Sequence, residues 1–358
     1  MPSRPSIFDW PPQLLVAELV QGGLRPGQAR QAVAAIGHAL WRQGLAWPEA
    51  LGQVGKAAQE ALRSVVAGET AAQVAADYPS RDGSRKLLIQ LEDAAQIEAV
   101  ILPAHGKGRT TLCVSSQVGC GRRCVFCETG RVGLRRNLRA GEITEQLWLA
   151  QQVWAEHRGP LPPITNVVFM GMGEPLDNLA AVADAVAVFT DDLAAGLAWR
   201  HITVSTVGVA ERLPAFFRTV RANLAVSLNA PDDTRRSQLM PVNQRCDLAA
   251  LKLALQTQLP PGREVLVEYI LFAGVNDSLA DAAMLRQWLD GVPARCNLIP
   301  ANPGPDAALQ TPTVDAVWRF QKAMLDAGVR TLVRHPHGRD VGGACGQLAG
   351  QRHAAVPL

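Results

Sequence analysis

The segment Gln117-Val118-Gly119-Cys120-Gly121-Arg122-Arg123-Cys124-Val125-Phe126-Cys127 carries three cysteines spaced C-x-x-x-C-x-x-C. Three thiolates this close in sequence can ligate three irons of a [4Fe–4S] cluster. The fourth iron then has no cysteine nearby and is open to another ligand. A structural zinc site normally takes four nitrogen or sulfur ligands, often from two paired knuckles. No second knuckle exists, since Cys113, Cys246, Cys296 and Cys345 are scattered. Zinc held with distant partners stays open as the alternative. The odd total of seven cysteines in a long chain argues against a disulfide framework.

Outward from this segment, short β-type runs alternate with amphipathic helical runs. Strands are expected at 111–118, 166–170, 201–206, 223–228, 265–272, 294–299 and 331–334, with helices between them, including 142–156 and 179–189. Alternation of this kind implies a parallel sheet with crossover helices. About six βα units suit a partial (β/α)6 barrel better than a closed eight-fold one, and chemistry is expected at the C-terminal strand ends. The cysteine segment follows the first of these strands.

Upstream, residues 1–75 read as helical: Leu14, Leu15 and Leu19, then Ala29, Val33, Ile36 and Leu40, recur at helical spacing. Gly22-Gly23 and Pro26 interrupt the pattern. Residues 76–105 read as a β-hairpin, with Lys86 to Leu91 and Ile97 to Leu102 flanking Glu92-Asp93-Ala94-Ala95. The expected organisation is a small helical N-terminal accessory domain (1–75), a hairpin extension (76–105), a core barrel with a C-terminal cysteine loop (106–350) and a tail (351–358).

Composition is that of a globular protein, 48% hydrophobic and 19% charged over 358 residues. No run of about 18 apolar residues is present, so no membrane partner is expected. The first residues lack the apolar region of a secretory signal, and with free cysteines this leads to an expected cytoplasmic location. The net charge of +3 is too small to diagnose nucleic-acid binding by itself. Arg122, Arg123, Arg131, Arg135, Arg136 and Arg139 nevertheless gather at the cysteine segment, either as a solvated loop or as a phosphate-facing rim.

Several strand ends carry further signals. Gly171-Met172-Gly173-Glu174-Pro175-Leu176 places glycines where backbone can approach a ligand and a carboxylate suited to an ammonium group. Ser205-Thr206-Val207-Gly208, Ser227-Leu228-Asn229-Ala230 and Pro300-Ala301-Asn302-Pro303 offer hydroxyl and amide groups, each equally readable as strand-end capping or turn. Cys345, in Gly342-Gly343-Ala344-Cys345-Gly346-Gln347, reads as an accessible thiol on a flexible segment.

Taken together, these motifs resemble the RlmN/Cfr family of radical S-adenosylmethionine (SAM) enzymes that methylate adenine in RNA. The stretches that carry the resemblance include Asp82 to Lys86, Ile97 to Val100, Thr111 to Cys120, the cysteine triad, Gly171 to Leu176, Ile202 to Gly208, Leu224 to Leu228, Asn297 to Pro303 and Ala344 to Leu348. The resemblance implies that Cys120, Cys124 and Cys127 hold a [4Fe–4S] cluster whose open iron chelates SAM, with Phe126 packing near the adenine of SAM. It implies SAM contacts from Gly173, Glu174, Ser205, Ser227, Leu228, Asn229 and Asn302. It implies that Cys345 carries a methyl group, that Glu98 accepts the ring proton of carbon 2 or 8, and that Cys113 resolves the adduct through a transient disulfide. The implied partners are RNA (23S rRNA, tRNA or both) and a reducing donor such as flavodoxin, acting on a monomer. The family pattern has His where this chain has Asn229, and lacks the His335-Pro336-His337 seen here. Two alternatives stand beside this reading: a radical-SAM enzyme of other chemistry, and a non-catalytic iron–sulfur RNA-binding protein.

Overall fold

Runs such as Leu224-Ala225-Val226 and Val265-Leu266-Val267 are wholly buried or nearly so, as parallel strands covered on both sides must be. The computed structural model describes residues 5–67, 72–104, 108–302, 304, 306 and 308–349. Its parallel strands are Arg109–Cys113 (β4), Ile164–Phe169 (β7), Ile202–Thr206 (β8), Asn223–Ser227 (β9), Val265–Leu271 (β10), Ala294–Pro300 (β11) and Thr331–Val333 (β12). They lie side by side in chain order. The connecting helices are Ala140–His157 (α6), Leu179–Thr190 (α7), Leu213–Thr219 (α8), Leu248–Gln258 (α10), Leu279–Leu289 (α11) and Val314–Asp326 (α12). A further short helix, Asp233–Leu239 (α9), precedes α10. Six crossovers between seven parallel strands give the partial (β/α)6 barrel, and all the loops leaving the C-terminal strand ends open on one side. The expected first strand at 111–118 is two pieces: β4 ends at Cys113, and Gln117–Val118 (β5) pairs antiparallel with Arg136–Asn137 (β6).

The sheet continues beyond β4 into antiparallel strands Gln73–Pro79 (β1), Arg85–Gln90 (β2) and Gln96–Ala104 (β3). β2 and β3 are the hairpin read from sequence. β1 was not anticipated: its Ala, Asp and Pro content gives little strand signal, and pairing with β2 supplies the ladder. The Arg85–Asp77 ion pair ties the two strands together.

Helices Pro12–Gln21 (α1), Pro26–Gly37 (α2), Trp47–Leu51 (α3) and Lys56–Val65 (α4) form the N-terminal part. They bury Leu15, Leu19, Val33 and Ile36 in a core continuous with that of the barrel. Phe8, in a short turn before α1, lies between Trp41 and Trp148, each ring centroid 5.7 Å away. Its carbonyl accepts from Thr144 Oγ1 on α6 at 2.7 Å. Gly37 permits close approach to the barrel, since a Cβ there would lie 1.7 Å from the Leu193 carbonyl oxygen. Among the described residues no helix is long and apolar enough to cross a membrane.

Candidate active site

The cysteine segment is closed into a loop by the β5–β6 ladder and by Cys120 N–H donating to Gly133 O at 3.1 Å. Gly119 makes this possible: its φ is +77° and a Cβ would sit 1.8 Å from the Gly133 oxygen. Val125 N–H donates to Leu239 O at 3.1 Å and pins the loop to the end of α9. Cys120, Cys124 and Cys127 all border one cavity of about 130 Å³ at the C-terminal strand ends. Burial pushes the Cys120 thiol up to about 12 and raises Cys124 and Cys127 as well. Such thiols keep their protons near neutrality unless a metal replaces them, and a coordinated thiol is deprotonated outright. Among the described residues no three His, Cys, Asp or Glu side chains converge on a point that would suit a single ion. Three adjacent cysteines on one cavity suit the three protein ligands of a multi-iron cluster, whose thiolates sit on separate irons.

The sequence-expected SAM contacts divide between the wall of this cavity, its backing and a neighbouring cavity. Gly173, Glu174, Ser205, Ser227 and Asn229 line it. Gly173 has φ +104°, and a Cβ would meet the Gln117 Cβ at 2.6 Å. Glu174 is buried, and burial raises its carboxyl to about 7 against the pull of backbone N–H groups. Those donors are Leu176 N–H at 3.1 Å and Val207 N–H at 2.8 Å, so the carboxylate is already engaged in bracing the turn. Leu228 is fully buried behind the wall, its N–H donating to Glu268 O at 2.9 Å. Asn229 has φ +59°, a left-handed conformation that Asn tolerates better than most residues. Its side-chain oxygen accepts from Ile270 N–H at 2.9 Å, fixing it to β10. Asn302 lines a second, adjoining cavity.

That second cavity is bordered by both Cys113, at the end of β4, and Cys345. Cys345 and Met170 border the two cavities alike. All seven cysteines are free, so the structure holds no disulfide, and the expected Cys113–Cys345 bond is absent from it. Burial pushes Cys113 up to about 12, with Arg334 opposing the shift. Cys345 is exposed, as expected, but its segment is not loose. Glu128 N–H donates to Gly346 O at 2.8 Å, Thr129 Oγ1 to Leu348 O at 2.6 Å, and Asn302 Nδ2 to Cys345 O at 3.2 Å. Gly338 and Gly342, at φ +66° and +61°, shape the turn that delivers the cysteine.

Glu98 lies beneath this segment, fully buried, and lines neither cavity. Its carboxylate is 3.0 Å from Lys86 Nζ, itself fully buried, and accepts from Ala349 N–H at 2.7 Å. Sequence reasoning missed Lys86, and also Glu268, Arg334 and Arg236. Glu268 lines the main cavity, 3.5 Å from Arg334, and burial raises its carboxyl. A charged residue inside the apolar strand Val265–Leu271 was the available signal. Arg236 is fully buried and donates to Leu228 O at 3.1 Å, Val207 O at 2.7 Å and Asn243 Oδ1 at 2.8 Å, joining the loops after β8 and β9 beneath the cavity.

The arginine group splits. Arg122 pairs with Asp177, Arg136 with Asp93 and Glu142, and Arg139 with Asp9, Glu92 and Glu142. These three are engaged by carboxylates, Arg122 and Arg136 partly buried and Arg139 at the surface. Arg123, Arg131 and Arg135 are exposed, and only Arg131 has an ion pair among the described residues, a 3.9 Å contact with Glu128.

Residues 114–285 match the Radical SAM superfamily. A probable RNA methyltransferase of Sorangium cellulosum is 52% identical over 94% of this chain and 79% of its own. The dual-specificity RNA methyltransferase RlmN of Dichelobacter nodosus is 38% identical over 98% of this chain and 96% of its own. The crystal structure of a radical SAM methyltransferase from Sphaerobacter thermophilus superposes with a TM-score of 0.87 at 35% identity, covering 97% of this chain and 100% of that one. With relatives this similar along nearly its whole length, a cysteine triad that fits a cluster and a second pair of thiols beside it, the chain belongs to the RlmN family of radical SAM RNA methyltransferases.

Proposed function

We propose that this enzyme methylates carbon 2 or 8 of an adenine in rRNA or tRNA, with Cys345 as covalent methyl carrier and Cys113 as resolving thiol. One observation carries the reading: Cys345 borders both the cavity of the cysteine triad and the cavity that holds Cys113. An amidine carbon is too weak a nucleophile for direct methyl transfer, and a covalent carrier divides the reaction into feasible steps. Cys120, Cys124 and Cys127 would hold the cluster, and Gly173, Glu174, Ser205, Ser227 and Asn229 would surround SAM. When bound, cluster and SAM supply the methyl group and the radical that activates it.

Cys345 must lose its proton to accept the methyl, and Arg334 is the cation placed to stabilise that thiolate. Once the methyl carbon is joined to the base, one proton must leave the ring carbon. Glu98 is the assigned acceptor, reached when the segment over it lifts. Glu268, already on the cavity wall, is the competing one, and Glu98→Gln and Glu268→Gln separate the two. Cys113 as thiolate then attacks the Cys345 sulfur. The carbon–sulfur bond breaks as the disulfide forms, its electron pair stays on the methylene carbon, and that carbon takes up a proton to become the methyl group of the departing base. Asn302 holds the Cys345 carbonyl, a positioning role that suits its place in the second cavity. The helical segment α1–α4 and the exposed Arg123, Arg131 and Arg135 are the proposed RNA contacts of a monomer fed by a flavodoxin-type donor.

Two variants test the scheme. Cys345→Ala should form neither methylated protein nor methylated RNA. Cys113→Ala should still be methylated at Cys345 and should trap a protein–RNA adduct, seen as a ribonuclease-sensitive shifted band on a denaturing gel. Normal turnover by Cys113→Ala refutes the resolving role.

A further inference from the structure

The segment His335-Pro336-His337, where this chain departs from its family's pattern, borders more than the thiol cavity. His335 and Pro336 also line a third concavity, a groove of about 350 Å³ whose opposite wall is the first half of α12. That volume lies at the lower end of the range of small-ligand clefts. The wall presents Val314, 88% exposed, and Trp318, 56% exposed. A large indole left open to solvent in a concave site invites a partner. Among the described residues, the ionisable ones lining the groove are His335 and Arg339, and no carboxylate lines it.

We propose that this groove receives an unstacked nucleotide of the RNA substrate, next to the base that enters the thiol cavity. This rests on the reading of RNA as substrate. Three features select a nucleotide as the occupant. The Trp318 face and the neighbouring proline rings form a stacking platform that any base can use. Arg339 and His335 complement phosphate, and the absence of a lining carboxylate removes repulsion. The groove adjoins the thiol cavity, with which it shares His335 and Pro336 as lining residues. Arg339 adds a mechanical link: its Nε donates to Asn302 Oδ1 at 2.7 Å, and Asn302 Nδ2 holds the Cys345 carbonyl at 3.2 Å. A nucleotide whose phosphate is held by Arg339 is thereby linked to the residues that position the methyl carrier.

The test uses the anaerobically reconstituted enzyme and a short fluorescent single-stranded RNA rich in adenine, read by anisotropy. Trp318→Ala should weaken binding about ten-fold, within the range for loss of one stacked base. Trp318→Tyr, which keeps a stacking face, should stay within about three-fold of the parent. Val314→Glu should weaken binding and Val314→Lys strengthen it, both effects shrinking as salt rises. Iron content and circular dichroism establish that each variant is folded. A parent enzyme that binds no RNA overturns the RNA reading and this proposal together. A parent that binds while Trp318→Ala binds equally well overturns the groove alone. So does a Trp318→Ala variant whose sedimentation changes while its RNA affinity does not, which would mark the groove as a contact between copies of the chain.

Discussion

Replacing Lys86 by Met removes the cation 3.0 Å from Glu98 while keeping the volume of the side chain nearly constant. Both side chains are fully buried, so solvent screens the pair very little. At an effective dielectric near 20, a contact of this length corresponds to roughly 5 kcal/mol of attraction. The price of leaving one buried partner uncompensated falls in the same range, about 3–5 kcal/mol. The expected loss in Lys86→Met is therefore about 3–5 kcal/mol, a large fraction of a typical domain's stability of about 5–15 kcal/mol. The ring of Tyr78, 5.2 Å from Lys86 Nζ, cannot replace that charge. In the double variant Lys86→Met, Glu98→Gln, both charges are gone, while the amide oxygen of Gln can still accept from Ala349 N–H. Most of the loss should be recovered, giving a coupling of at least about 2 kcal/mol. Urea unfolding followed by pulse proteolysis under anaerobic conditions measures all four corners of the cycle. A Lys86→Met variant destabilised by less than about 1 kcal/mol, or a double variant whose losses simply add, would show that Lys86 does not compensate the Glu98 charge.

Cys124→Ala should abolish iron binding and release of 5′-deoxyadenosine from SAM, since one of three adjacent ligands is lost; near-normal iron by colorimetric assay would move the cluster elsewhere. Gly173→Ala should destabilise the turn by about 1–3 kcal/mol, because φ is +104° and the new Cβ meets Gln117; SAM affinity measured by equilibrium dialysis should fall with it, and unchanged affinity would remove Gly173 from the SAM wall. Arg135→Ala should reduce the slope of log affinity for RNA against log salt by about 1. Arg136→Ala should instead lower thermal stability and leave that slope unchanged, because Arg136 is already bound to Asp93 and Glu142.

Features set by local spacing were legible in the chain itself. The cysteine triad occupies eight consecutive residues, so its ligand character does not depend on how distant elements pack. The strands at 223–228, 265–272 and 331–334 differ from the observed ones by a residue at one end, because β runs separated by amphipathic helices leave one sensible alternation. Gly171 to Leu176 announced a close approach of backbone, and Gly173 has the positive φ that requires glycine.

What the tertiary structure decided was pairing across long sequence separations. Glu98 meets Ala349 across 251 residues, and Asn302 meets Cys345 across 43. No periodicity encodes such contacts, which arise only when the strand order brings β3, β11 and the final segment to one end of the barrel. The same packing tied Arg122, Arg136 and Arg139 to carboxylates instead of leaving them as an open phosphate rim. It also seated Glu268 beside Arg334 and set the Lys86–Glu98 pair under the segment that follows Cys345. Charge and side-chain type are written in the chain, but whether a charge faces solvent, a partner or a reaction cavity depends on which distant segment folds over it.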